Sequence, residues 1–518
     1  IMKKLLALLL CFVMLFSVVA CGDGTTDESS STEDVSNETS EVVSTDESSQ
    51  DESKDSTVPN EQFDENGKYI PLNFEHMKIM KLTQWDVSAG GLFLIGSKPM
   101  RERTFKKQME KVMENIAEAG YNTVLFQVRP FADSFYQSKY YPLSYFVSGS
   151  YSNQEPLPYD FVEITIQEAH RQGLSIHGWF NPMRCMTNSQ LEQIPGEWPI
   201  KTWFSEMGKG GEMTEYMFAG TDAGGTARLY LNPAYEEVRN LIINGVREIC
   251  DTYKVDGIFM DDYFYPEEVK SNQKIDNLAY RARTDGSKSR AEFRRNSVNL
   301  LVAGIYATVK EADERLIYGI SPNGHIEHAY QNECADIYTW VSNKGYCDIM
   351  YPQFYYGMMH GQCSIAALMK GWDEIMTEES IKLVPILTVN KVGHYDQWAI
   401  TEVGRHEWEN YTDIVLESLV YLLINEYRTI DGTGFFSYQY FWNNGSIGEF
   451  NDAQYAKLDT ELANFAFIMH DYDELIGKDV EALKAYFTEQ GKDLVAMARE
   501  WDSRLLANGF LDLFHSIK

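Results

Sequence analysis

The densest group of residues able to do chemistry is Val255-Asp256-Gly257-Ile258-Phe259-Met260-Asp261-Asp262-Tyr263-Phe264-Tyr265-Pro266. An apolar run here ends in two consecutive carboxylates. If the strand continued, Asp261 and Asp262 would point to opposite sides, so one aims inward and the other supports it. Carboxylates serve an oxocarbenium-like transition state as nucleophile, base or electrostatic partner, opposite an acid of raised pKa. This spacing makes Asp261 or Asp262 the principal catalytic candidate, with Asp133 or Glu327 as the candidate second carboxyl. The competing expectation is that both aspartates only cap the next helix or bind backbone. A retaining enzyme would hold its two carboxyls about 5 to 5.5 Å apart and an inverting one about 6.5 to 9.5 Å.

Other apolar runs end in groups suited to sugar hydroxyls: Gln127 and Arg129, then His177, Asn181 and Arg184, then Asn232, Ser321, Asn323, Gln353, Tyr355 and Tyr356. Trp179, Tyr263 and Tyr265 add aromatic faces that can stack on pyranose C–H faces, although aromatic residues also fill cores. His177 is as readily a core histidine, and Arg129 a structural anion partner. His325 and His328 are the only closely spaced histidines, and with no matched carboxylate they make a weak metal set. No metal and no cofactor is expected.

These residues need a frame that gathers strand ends. Short apolar runs alternate with long amphipathic ones, the pattern of βα units on a parallel sheet. Eight strands are expected at Met77–Trp85, Asn122–Val128, Ser175–Phe180, Gly257–Met260, Ile317–Ile320, Ile349–Phe354, Leu383–Leu387 and Gly434–Tyr438. A helix follows each, the fifth at Ala335–Asn343. Loops into strands are short, whereas Arg129–Tyr159 and Asn181–Leu231 are long and aromatic, as the catalytic face of a (β/α)8 barrel requires. The expected fold class is α/β, a (β/α)8 TIM barrel over residues 67–470 with a helical C-terminal appendage over 471–518.

Residues 1–20 read as a secretory signal: Lys3 and Lys4, then an apolar run from Leu5 to Ala20. Val18-Val19-Ala20-Cys21 has the form of a lipobox, which makes Cys21 a lipidation site and the protein an extracytoplasmic, membrane-anchored lipoprotein. Residues 21–66 are Ser, Thr, Asp and Glu with few aromatics, a disordered acidic linker. The formal net charge is −32, of which about −20 falls after residue 66. That balance excludes phosphate-backbone binding, and with it nucleic acid as a partner. Of seven cysteines none forms a CxxC pair, which argues against a disulfide framework or a zinc site.

Taken together, Phe126-Gln127-Val128-Arg129-Pro130 with Asp133 and Tyr136, His177-Gly178-Trp179-Phe180-Asn181-Pro182, Leu231-Asn232-Pro233, the 255–266 block, Gly319-Ile320-Ser321-Pro322 and Pro352-Gln353 before Tyr355 resemble the family-10-like glycosyl hydrolases. That family includes the divisome-localised glycosyl hydrolase lipoproteins. The resemblance runs in order from about Met77 to Trp442 and implies a (β/α)8 barrel acting on peptidoglycan glycan, in some members on strands stripped of peptides, with the cell-division machinery as a possible partner. Asn323-Gly324-His325 departs from the aromatic-Gly usual there. The chitinase pattern DGxDxDxE is not met, because Phe259 and Tyr263 occupy two of its acidic positions. Three alternatives stay open: a carbohydrate-binding barrel without turnover, a metal-dependent hydrolase, and a glycosidase acting on another polysaccharide.

Overall fold

The computed structural model describes residues 58–518 apart from 90, 223, 267–271, 285 and 443–449. The expected signal segment, Cys21 and most of the acidic linker lie outside the described residues. Among the described residues, no helix is long and apolar enough to cross a membrane.

Nine parallel strands form the central sheet: β1 (Met77–Leu82), β2 (Thr123–Arg129), β3 (Ser175–Phe180), β4 (Gly257–Asp261), β5 (Ile317–Ser321), β6 (Ile349–Met350), β7 (Lys382–Leu383), β8 (Ile386–Thr388) and β9 (Gly432–Phe436). Their order is β7-β6-β5-β4-β3-β2-β1-β9-β8. The two end strands are one extended segment broken at Val384-Pro385, because proline has no N–H to give to a ladder. Lys382–Leu383 pairs back to β6 while Ile386–Thr388 pairs forward to β9. The Asp431 N–H donates to the Leu383 carbonyl at 2.8 Å and the Val384 N–H to the Met350 carbonyl at 2.9 Å, so this segment bonds on both sides and the sheet closes into a barrel. The expected eight-stranded (β/α)8 fold is therefore present, with its seventh strand in two pieces.

Two other strands are shorter than expected. The expected Ile349–Phe354 strand is interrupted at Pro352, though the Gln353 N–H still donates to the Pro322 carbonyl at 3.1 Å. β1 stops at Leu82 and a short helix, Gln84–Ala89, begins. The Thr83 hydroxyl accepts the Asp86 N–H at 3.2 Å while the Asp86 carboxylate accepts the Thr83 N–H at 2.5 Å, the reciprocal pattern that starts a helix. Where a fifth helix was expected at Ala335–Asn343, two short ones stand at Ile326–Asn332 and Ile337–Trp340.

Alternation along the strands decides what fills the barrel. Met77, Ile79, Leu125, Trp179, Phe259, Ile349, Tyr351, Val384 and Ile386 form the interior cluster, separate from the larger core between strands and helices. Glycines make room for the rings. A Cβ on Gly319 would stand 2.0 Å from the Tyr351 ring, and one on Gly257 would stand 2.8 Å from the His177 ring.

Both ends of the described chain attach to this frame. Residues 58–72 strap the barrel's N-terminal side through Asp256: Tyr69 Oη donates to its Oδ1 at 2.6 Å and the Ile176 N–H to its Oδ2 at 2.7 Å. His170 bridges Asp256 (3.1 Å) and Glu61 (3.2 Å). At the other end, the helix Leu494–Ala507 lies on Ile414–Ile424, where Trp501 Nε1 donates to Asp413 at 2.7 Å and Arg504 pairs with Asp413 and Glu417. With the helices Asp452–His470 and Ile365–Ile375 also packed against it, the run Ile414-Val-Leu-Glu-Ser-Leu-Val-Tyr-Leu422 is buried on every side.

Candidate active site

β4 delivers the carboxyl pair to the barrel's C-terminal mouth. Asp261 has the inward parity of Phe259 and is only 4% exposed. Its Oδ1 accepts a hydrogen bond from Gln353 Nε2 at 3.1 Å and stands 4.0 Å from Lys81 Nζ. Lys81 is the last inward residue of β1, and its ammonium rests over the rings of Trp179 (4.3 Å), Phe259 (4.9 Å) and Phe436 (5.7 Å). An ammonium sunk among rings is stabilised by their faces and by a facing carboxylate. Burial nevertheless holds the Lys81 pKa below its ordinary value against the pull of Asp261 and Asp262.

Asp262 is partly exposed and titrates well above a normal aspartate. Burial of the carboxyl is the main cause, reinforced by Asp261 and Glu333 and opposed by Lys81 and Arg184. The two adjacent carboxyls thus stand in unlike surroundings, an arrangement that can divide acid and base roles between neighbours.

A ring of polar side chains surrounds the pair. Gln127 accepts the Gln84 N–H at 2.9 Å and donates to Asn181 Oδ1 at 3.3 Å, which also accepts Trp179 Nε1 at 3.1 Å. Asn181 Nδ2 donates to the Pro130 carbonyl at 2.8 Å, so it orients its neighbours. Ser321 is in register with Asp261, and its buried hydroxyl has no hydrogen-bond partner among the described residues. The Tyr355 hydroxyl also lacks one; burial, then Asp261 and Asp262, push its pKa up. Asn323 accepts Tyr356 Oη at 3.0 Å and bridges to Gln353. Tyr263 lies flat under Arg184, whose guanidinium carbon is 3.4 Å from the ring centroid.

Several expected residues lie elsewhere. Arg129 is packed on the helix side between Tyr141 and Phe180, at 4.6 and 4.7 Å, where a Cβ on Gly245 would touch it. His177 is inward-facing but one layer below Trp179, and burial lowers its pKa to about 4, so it is a neutral core imidazole. Asn232 ties loops together, donating to the Glu215 and Ile275 carbonyls at 2.7 Å each and accepting Tyr265 Oη at 3.2 Å. Tyr265 stacks on Phe218 at 5.6 Å. Asp133 is 1% exposed and accepts the Phe131 N–H at 2.8 Å, bracing its own loop. Glu327 is exposed and accepts Tyr338 Oη at 2.7 Å. The metal alternative gains nothing: His328 Nε2 is 3.4 Å from Glu333, His325 meets Gln362 at 3.0 Å, and no group of three metal-ligating side chains occurs among the described residues.

Two residues at the mouth were not anticipated. Lys81 carried a signal, since Met77, Ile79 and Lys81 share one parity and a lysine on an interior strand face is rarely idle. Glu333 carried none: it stands just after the helix Ile326–Asn332, and only the fold brings it near Asp262, its carbonyl accepting the Tyr265 N–H at 3.2 Å.

A closed parallel barrel with a carboxyl pair, an interior lysine and a ring of amides and hydroxyls at its C-terminal mouth defines a glycosidase-like barrel. The sequence profile of the glycosyl hydrolase-like 10 family matches residues 91–399, more than half of the chain, and the chain belongs to that family. It is 27% identical over 319 residues to glycosyl hydrolase YngK of Bacillus subtilis strain 168, an alignment covering 58% of each chain. Against glycosyl hydrolase DigH of Escherichia coli K12 it is 29% identical over 319 residues, 58% of this chain and 69% of the relative. The match thus spans less than two thirds of the Bacillus protein. Among solved structures, the glycoside hydrolase domain of PgaB from Bordetella bronchiseptica aligns with 74% of this chain and 99% of its own at TM-score 0.44 and 11% identity, a likeness too loose to bear on function.

Proposed function

We propose that this protein is a lipid-anchored, extracytoplasmic glycoside hydrolase that cleaves the glycan of the bacterial cell wall. The observation that carries the hydrolase reading is the unlike pair at the end of β4. Asp262, protonated, donates to the leaving glycosidic oxygen. Asp261, facing Lys81 and held by Gln353, supports the oxocarbenium-like centre or attacks it. Ser321, Tyr355 and Gln127 supply donors and acceptors to sugar hydroxyls, and Glu333 is a third carboxyl whose charge acts on Asp262. Substrate and location rest on sequence: the ordered motif resemblance from Met77 to Trp442 supports peptidoglycan, and the lipobox at Cys21 supports the anchor.

The test is digestion of purified peptidoglycan, with and without prior amidase removal of peptides, by the protein and by its Asp261→Asn and Asp262→Asn variants. Saccharide products lost in either variant are the expected outcome. Glycan that is bound and never cut would replace the hydrolase with a binding scaffold. Turnover of another polysaccharide alone would replace the substrate.

A further inference from the structure

We infer that Arg184 is a recognition site for a carboxylate substituent on the sugar bound at the mouth; the inference rests on the glycan-binding reading above. Arg184 is 5% exposed. It is wedged between two ring faces, 3.4 Å from the Tyr263 centroid and 4.5 Å from that of Phe131. Its Nε donates to the Pro130 carbonyl at 3.3 Å, the same carbonyl that fixes Asn181. Among the described residues, that is its one hydrogen bond, and no carboxylate comes within salt-bridge distance. The contrast is its neighbour Arg228, which also covers Phe131 but is paired with Asp222.

A guanidinium clamped in plane, with Nε spent on the backbone and both terminal nitrogens unspent, offers two parallel donors, the geometry that takes a carboxylate or similar anion. Its placement ties it to the mouth. Tyr263 follows Asp262 directly, the Met183 N–H donates to the Tyr263 carbonyl at 3.3 Å, and Asp262 feels the Arg184 charge. The nearby acids do not cancel that charge by contact: Asp133 is spent on the Phe131 N–H and Asp222 on Arg228. Burial raises the pKa of Asp133 as well as that of Asp262, while Arg184 pulls both the other way. A neutral sugar would leave a desolvated guanidinium unpaired, whereas an acidic one satisfies it, so the site discriminates between them.

Two glycan chemistries carry such a group. One is the lactyl ether of a muramic acid whose carboxyl is free because no peptide is attached; the other is a uronic acid. The experiment compares kcat and KM of the full chain on peptide-free cell-wall glycan, on the same strands with their carboxyls converted to methylamides, and on hyaluronan. Calorimetric titration of each glycan provides a readout independent of turnover. Amidation is expected to raise KM or Kd about tenfold or more, with kcat changing less. In Arg184→Met the ratio between the acidic and amidated strands is expected to fall to about one, with folding checked by thermal melting. Preference for hyaluronan over the lactyl-bearing strands supports the site and assigns the carboxylate to a uronate. Equal treatment of acidic and amidated strands by the wild type overturns the inference while leaving the hydrolase reading intact. The same holds if Arg184→Met folds and keeps the preference. Failure to bind any of the three glycans overturns both.

Discussion

Lys81 and Asp261 meet inside the barrel, Nζ to Oδ1 4.0 Å, one from the first strand and the other from the fourth. Neither is more than 4% exposed. Removing one member of such a pair leaves a charge buried without its partner, whereas removing both restores neutrality. Lys81→Met and Asp261→Asn are therefore expected to couple. The two single changes should together destabilise the fold more than the double does, with a coupling energy of about 0.5–3 kcal/mol in a denaturant double-mutant cycle. Additive singles would mean that the ammonium and carboxylate ignore each other.

The carboxyl pair predicts a pH profile. With its pKa raised by burial, then by Asp261 and Glu333, Asp262 holds its proton through pH values where an ordinary aspartate has lost it. As general acid it must be protonated, so activity should persist to higher pH and then fall as Asp262 ionises. Asp262→Asn should cost about 10²–10⁴-fold in kcat and remove that alkaline limb. Full activity in Asp262→Asn, or an unchanged alkaline limb, refutes the assignment.

The strap across the barrel's N-terminal side makes stability, too, depend on pH. Burial disfavours charge on His170, but its hydrogen bonds to Asp256 and Glu61 outweigh that and lift its pKa to about 9. Because the folded pKa lies above the unfolded value, the gain is fully present below about pH 6.5 and disappears as pH climbs through about 9. Thermal melts from pH 6 to 10 should show Tm falling across that window, and His170→Gln should flatten the slope. A slope identical in the variant would place the titrating group elsewhere.

Gly319 tests the packing of the interior. A methyl there would enter the Tyr351 ring, whose nearest carbon lies 2.0 Å from the ideal Cβ position, and the ring sits among Phe259, Met77 and the β6 backbone with little room to yield. Gly319→Ala should cost about 1–3 kcal/mol by chemical denaturation and lower turnover by tilting the layer beneath Asp261. A neutral result would mean the ring moves freely.

Periodicity made the barrel legible because each βα unit repeats the same contrast between apolar strand and amphipathic helix. It misplaced ends where one residue overrules the average: Pro385 splits a strand, Pro352 shortens another, and the Thr83–Asp86 pair starts a helix early. Asp261, Gln353, Ser321 and Tyr355 could be grouped from sequence because strand ends converge on one face of such a barrel. Parity along a strand separates the mouth from the layer below, which is where His177 falls. The bulge between Gln127 and Arg129 shifts the pairing of β2 with β3, and Arg129 turns to the helices. Glu333 had no motif, and the unspent donors of Arg184 become visible only when its neighbours are seen to be paired. Asn60 and Glu61 belong to an acidic stretch by composition, yet their partners lie 110 and 109 positions away at His170.

The pairing of Met77 with Gly432 has a consequence for biogenesis. A chain synthesised N-terminus first displays the edge of β1 long before β9 emerges to cover it, and β8 waits for the same partner. Until that strand arrives, two adhesive edges lie open to any neighbouring polypeptide. Sealing the seam is thus a late, long-range event, and a nascent chain arrested before residue 432 would be a natural client for a holding chaperone.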